Sequence, residues 1–281
     1  YEKANIENLS NAEIAEAKFE LAYCYFNIKE FKKAQPLFAS IKEIPGKYNL
    51  PANYYYGFIS YYNHQYAEAL SSFQKVVNEP KYSNIVPYYI AEIYYFQRKT
   101  DQLISYTEPL LRQGGQYYEA EMKHLLGKAY FEKKDYQKAL PYLQDFQDNA
   151  DEIRNEDIYQ LSYAYYQTND LNKAITGFKQ LSGSKDSLGQ NSMYLLGDCY
   201  LRTGQKANAR NAFAFCANNS SNAQQQEISR FNYGKLSYEL GYPDAALNEL
   251  THFVSTYPQS AYNKEAREIL VNLFMNSNNY K

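Results

Sequence analysis

Apolar positions recur along this chain with two periods at once. Within a unit they fall three, four and seven apart, the spacing of one helix face. Between units the arrangement returns after 34 to 37 residues. Seven small residues lead it: Ala22, Gly57, Ala91, Gly127, Ser162, Gly197 and Gly234. Twelve positions after each stands a second anchor: Ala34, Ala69, Leu103, Ala139, Ala174, Ala209 and Ala246. Three after the first comes an aromatic (Tyr25, Tyr94, Tyr130, Tyr165, Tyr200), or Ser60 and Ser237 in the second and seventh units. Four after the second anchor come Phe38, Phe73, Thr107, Leu143, Phe178, Phe213 and Leu250. Seven after it come Ile41, Val76, Leu110, Phe146, Leu181, Cys216 and Phe253. Each unit is thus predicted to be two helices, which cross closely because small residues meet at the crossing.

Polar turns punctuate the pattern. NIKE (27–30), EKKD (132–135), QTND (167–170) and LGYPD (240–244) separate the two helices of a unit. Pro243 falls in the first turn of its helix, where a missing N–H costs little. Ser10 with Glu13 reads as a capping box that opens the first helix. Among the joints between units, LSGSKDS (181–187) and ANNSSN (217–222) look loosest. About fifteen helices and almost no strand are expected from this count.

A period in this range with two helices per unit marks a helical solenoid. The array resembles tetratricopeptide repeats, most fully in LGKAYFEKKDYQKALPYL (126–143) and LGDCYLRTGQKANARNAF (196–213). The resemblance covers roughly residues 11 to 281. Leu103 and Thr107 depart from it, which puts the packing of the third unit in question, and the chain has no Trp. The resemblance implies an all-α, right-handed superhelical solenoid of helix–turn–helix repeats. One array over 1–281 is expected, with repeats at about 11–48, 49–82, 83–118, 119–153, 154–188, 189–225 and 226–261. A terminal helix over 263–281 would cap it, with Leu270, Leu273 and Phe274 packed on the seventh repeat. The chain starts at Tyr1, and NNYK (278–281) aligns with a turn in mid-repeat, so a piece of a longer protein is expected.

Composition narrows the function. A net charge of −2 and a pI near 6.0 argue against a nucleic-acid or anionic-membrane surface. No apolar run is long enough to span a bilayer. Cys24 and Cys199 share an apolar row with Ile59 and Ile93, and Cys216 shares one with Ile41, so all three read as buried small hydrophobes. His64, His124 and His252 lack a partner at metal-ligand spacing. No nucleophile, phosphate-loop or dinucleotide motif occurs, so neither catalysis, nor a cofactor, nor a metal is expected.

What remains is a stripe on the first helices. One row is Phe19, Tyr54, Tyr88, His124, Tyr159, Tyr194 and Phe231. Four residues on stand Tyr23, Phe58, Glu92, Lys128, Tyr163, Asp198 and Lys235. A third row runs through Phe26, Tyr61, Tyr95, Phe131, Tyr166, Leu201 and Tyr238. The resemblance implies that this stripe lines a concave groove. Tyr, of which there are 33, offers flat apolar area with a polar tip, which suits recognition of a peptide or a partner's helix. The same rings could equally fill gaps between first helices, and the sequence leaves both readings open. Relatives that clamp a C-terminal carboxylate use Lys and Asn along this stripe; aromatics mostly replace them here, which argues against that ligand. A protein-binding scaffold is the leading reading. A saccharide-binding module of the cell envelope and a structural spacer are the alternatives. FVSTYPQSAYNKEA (253–266) resembles joints in bacterial envelope proteins of this family, including the Tol–Pal coordinator and outer-membrane assembly lipoproteins. It tilts the expected location toward the periplasm or outer membrane. In that joint Pro258 is expected to stop one helix, Ser260 to cap the next, and Tyr257 to pack under the turn.

Overall fold

The computed structural model describes residues 10–278. They form fifteen α-helices, with no strand among the described residues. A first compact unit runs through Lys133 and a second begins at Lys134. The first holds α1 (Asn11–Asn27), α2 (Phe31–Ile41), α3 (Asn49–Tyr62), α4 (Tyr66–Val76), α5 (Val86–Phe96), α6 (Thr100–Gln113) and α7 (Glu119–Glu132). The second holds α8 (Tyr136–Asn149), α9 (Asn155–Gln167), α10 (Leu171–Gln180), α11 (Ser187–Arg202), α12 (Lys206–Ala217), α13 (Ala223–Glu239), α14 (Pro243–Thr256) and α15 (Asn263–Asn278). The expectations for residues 1–9 and 279–281 lie outside the described residues.

Local chemistry sets the helix ends. Ser10 and Glu13 form the expected capping box on α1. Asp170, Asp186 and Asn222 accept backbone N–H groups at the starts of α10, α11 and α13. Pro243 opens α14. The turn inside each repeat has one strict requirement, a left-handed residue seven positions after the small residue. Lys29, His64, Arg98, Lys134, Asn169, Gly204 and Gly241 all have φ between 57° and 78°. Around it the chain closes a Schellman-type bond, as from Glu30 N to Tyr25 O and from Gln205 N to Tyr200 O. Only two of the seven are Gly, so this requirement left little trace in composition.

The small residues pack as their register implies. All seven are buried, as are all seven second anchors. A methyl at Gly57 would come within 3.0 Å of Phe73, and one at Gly197 within 2.7 Å of Phe213. In the fifth repeat the sizes are exchanged. Ser162 stands on the first helix, and its hydroxyl occupies the space a side chain on Gly177 would need. The third repeat tolerates its departures: Leu103 is buried and packs with Ala91, Leu125 and Ala129. Thr107 is buried too, with an Oγ1 that finds no hydrogen-bond partner. Leu110, though, is only half-buried where Ile41 and Val76 are closed.

Four expectations need correction. Cys24 is exposed, whereas Cys199 and Cys216 are buried. Its row is closed by a preceding repeat, and α1 has none before it among the described residues. Phe274 is 53 % exposed, while Leu273 is buried and Leu270 half-buried in the α13–α15 core. Ser260 shapes the turn before α15 rather than capping it, its hydroxyl accepting from Tyr262 N at 3.3 Å. The ANNSSN joint is pinned, not loose. Buried Gln190 donates to Asn219 O at 2.9 Å and Asn222 O at 3.0 Å, and accepts from Asn222 N at 2.6 Å.

Candidate partner-binding surface

In the first unit the stripe is aromatic and braced from behind. Phe19 and Tyr23 stack along α1 with centroids 6.2 Å apart. Each ring of the leading row is covered by an aromatic from the joint that follows. Tyr48 lies 4.9 Å from Phe19, Tyr82 lies 4.7 Å from Tyr54, and Tyr118 lies 4.6 Å from Tyr88. Phe19, Tyr54, Phe58 and Tyr88 remain half-exposed, and Tyr23 is 37 % exposed. Tyr55 and Tyr89, which the sequence reading passed over, wedge between successive first helices. Tyr55 stacks on Phe38 at 5.4 Å and Tyr89 on Phe73 at 5.6 Å. Glu92 is half-exposed and accepts the Tyr61 hydroxyl from the preceding repeat. His124 is half-buried and Lys128 is buried.

In the second unit the stripe is held by polar bonds. Tyr159 and Tyr163 stack at 5.8 Å, and Tyr166 follows at 6.1 Å. The Tyr159 hydroxyl accepts from Asn191 Nδ2, and Asn191 Oδ1 accepts from Gln225 Nε2 at 2.6 Å. Tyr166 donates to Asp198 at 2.8 Å, with Arg202 at 3.6 Å from the same carboxylate. Burial, then the Tyr163 hydroxyl nearby, pushes the Tyr159 phenol up to about 12. Burial, then the Asp198 carboxylate, pushes Tyr166 up to about 12 as well. Tyr194 is half-exposed against Phe213. Lys235 pairs with Glu265 at 2.6 Å. Phe231 departs from its row. It is 3 % exposed between Phe253 and Tyr262, so it is core and offers a partner nothing.

The tetratricopeptide repeat family matches residues 120–148 and, separately, 159–220. The 159–220 match falls on two helix pairs, α9 with α10 and α11 with α12, that have the small-residue crossing described above. Over these two stretches the chain carries tetratricopeptide repeats. No curated protein matches it. Its fold is also that of solved repeat structures. YrrB, described as a tetratricopeptide repeat protein with an unusual peptide-binding site, superposes with a TM-score of 0.55 at 15 % identity, over 71 % of this chain and 100 % of its own. A tetratricopeptide repeat protein from Parabacteroides merdae gives 0.50 at 16 % identity, over 94 % and 99 %. The Naa15/Naa10 complex bound to HypK gives 0.54 at 13 % identity, over 92 % of this chain and 39 % of the matched one.

One feature of these repeats was within reach of the sequence and one was not. Aromatics stand just before the first helices at 48, 82, 118 and 262, a recurrence that could have flagged the covering rings. The wedge position holds Tyr55 and Tyr89, then Leu125, Gln160, Leu195 and Asn232, so nothing recurrent marks it. A cavity of about 180 Å³ opens in the second unit beside Gly177, lined by Gln144, Tyr165, Thr176 and Gln180. Among the described residues no three His, Cys, Asp or Glu side chains gather so as to hold a metal. No helix among them is long and apolar enough to cross a membrane.

Proposed function

We propose that these tetratricopeptide repeats form a non-catalytic scaffold that holds an extended peptide or a partner's helix against the first-helix stripe of either unit. One observation carries this reading. The stripe rings are half-exposed yet already fixed from behind by Tyr48, Tyr82, Tyr118 and Asn191. Rings held in place lose little entropy on binding, which is what an aromatic recognition surface requires. The description of YrrB as peptide-binding supports the same use of this fold. The contact residues are Phe19, Tyr23, Tyr54, Phe58, Tyr88 and Glu92 in the first unit, and Tyr159, Tyr163, Tyr194 and Asp198 in the second.

Panning a displayed library of short peptides tests it. Peptides should bind in an extended or helical form, and Tyr23→Ala or Phe58→Ala should weaken those seated on the first unit by about 1–2 kcal/mol. Melting should change little for Tyr23→Ala, since that ring is exposed. Binders that ignore both first-unit changes and Tyr163→Ala would move the binding surface off the first helices.

A further inference from the structure

Charged positions on the stripe differ in how they are neutralised. Lys235 has Glu265 at 2.6 Å, and Asp198 has Arg202 at 3.6 Å. Glu92 has no such partner: among the described residues no Lys or Arg pairs with it. Two cations that follow α5 and α7 have partners of their own. Arg98 pairs with Glu132 at 2.8 Å, and Lys133 pairs with Asp101 at 2.9 Å. Lys128, next in the row, is buried.

What surrounds Glu92 is aromatic. Tyr61 donates its hydroxyl to the carboxylate from the preceding repeat. Tyr66 lies 6.4 Å from Tyr61 and stacks on Phe96 at 5.6 Å, and Phe96 is 46 % exposed. Tyr88 stands one turn earlier on α5. Burial raises the Tyr61 and Tyr88 phenols above the ordinary value, and the Glu92 charge raises both further. The same charge adds to the rise at Tyr66. Three phenols on three different helices thus sense one carboxylate. A half-exposed carboxylate without a cation, met by phenol hydroxyls and with aromatic rings beside it, matches the needs of an ammonium or guanidinium group. The charge attracts it, the rings attract it through their quadrupoles, and partial burial strengthens both.

We propose that Glu92 with Tyr61, Tyr66, Tyr88 and Phe96 forms a seat for a Lys or Arg side chain of the bound peptide. The proposal rests on the first-helix stripe being the binding surface. It assigns the first unit a partner segment with a basic residue at this point.

The test starts from the peptides selected above on the wild-type chain. Those seated on the first unit should share a Lys or Arg. Replacing that residue by norleucine should weaken binding about tenfold on wild type and hardly at all on Glu92→Gln. Glu92→Gln keeps an acceptor for Tyr61, so circular dichroism and melting should match wild type. Tetramethylammonium and arginine amide provide a probe independent of any peptide. Each should shift the Tyr61 and Tyr88 ring resonances in wild type and not in Glu92→Gln. Peptides lost on Phe58→Ala but indifferent to Glu92→Gln would overturn the seat and leave the binding surface standing. Peptides all indifferent to both and to Tyr163→Ala would overturn the binding surface and the seat with it. Absence of any ring shift with either cation would overturn the seat whatever the peptides show.

Discussion

Repeats in the two units are joined by different chemistry at the same register. In the first unit, Tyr55 and Tyr89 enter the preceding repeat and stack on its core Phe, while Tyr48, Tyr82 and Tyr118 cover the stripe from the joint. In the second, Leu195 and Asn232 hold the wedge position, and side-chain hydrogen bonds do much of the joining. Gln190 grips the 217–222 loop, Asn191 and Gln225 link Tyr159 to α13, and Arg230 reaches Glu249 at 2.7 Å and Ala217 O at 2.8 Å. A ring joint is non-directional and gains stability in proportion to the area it buries. A polar joint adds less net stability but permits one geometry, because each buried donor must find its acceptor. The two units therefore respond differently to the loss of one side chain.

The largest loss is expected at the first unit's wedge. Tyr89→Ala empties a site packed by Phe58, Tyr61 and Phe73 and should cost about 4 kcal/mol. Leu195→Ala, at the same register in the second unit, should cost about 2.5 kcal/mol. Equal urea midpoints for these two variants would erase the distinction. Arg230→Ala comes next. It strands the partly buried Glu249 carboxylate and should cost about 3 kcal/mol, whereas Arg98→Ala, whose side chain is 76 % exposed, should stay within about 0.5 kcal/mol. Gln190→Leu keeps the volume but leaves Asn222 N and the Asn219 carbonyl unpaired. A loss of about 2 kcal/mol is expected, with hydrogen exchange accelerated over 217–222 and unchanged in the first unit. Uniform exchange in both units would show that the amide joint has no local role.

The smallest effect is a pH dependence. Tyr159 and Tyr166 ionise near 12 when folded and near 10 when unfolded, so the folded chain holds more protons above pH 10. Their contribution is complete below pH 10 and is lost as pH rises from about 10 to about 12. The urea midpoint should fall over that window, and less so in Tyr159→Phe. An unchanged slope in that variant would mean that Tyr159 titrates as an ordinary phenol.

The register of the repeats was legible because it is local. Helix spacing, small residues at the crossings, the Ser10–Glu13 box and Pro243 each act within a turn or a helix pair, and Gly197 and Gly234 could carry no side chain unless a neighbour shifted. Sequence alone therefore determined the helix pairs and the residues that close them. The role of each aromatic was settled by neighbours about 30 residues away. Phe19 and Phe231 stand at one register, yet Phe19 stays half-exposed while Phe231 is closed off by Tyr262 and Phe253. Gln190 looked like a polar helix residue until the loop around Asn222 folded onto it. Glu92 and Asp198 looked alike until Arg202 neutralised one and, among the described residues, no Lys or Arg paired with the other. Periodicity fixes which residues share a face because it follows from backbone geometry. Burial and charge pairing depend on what the next repeat brings against that face, and only the tertiary structure decided those.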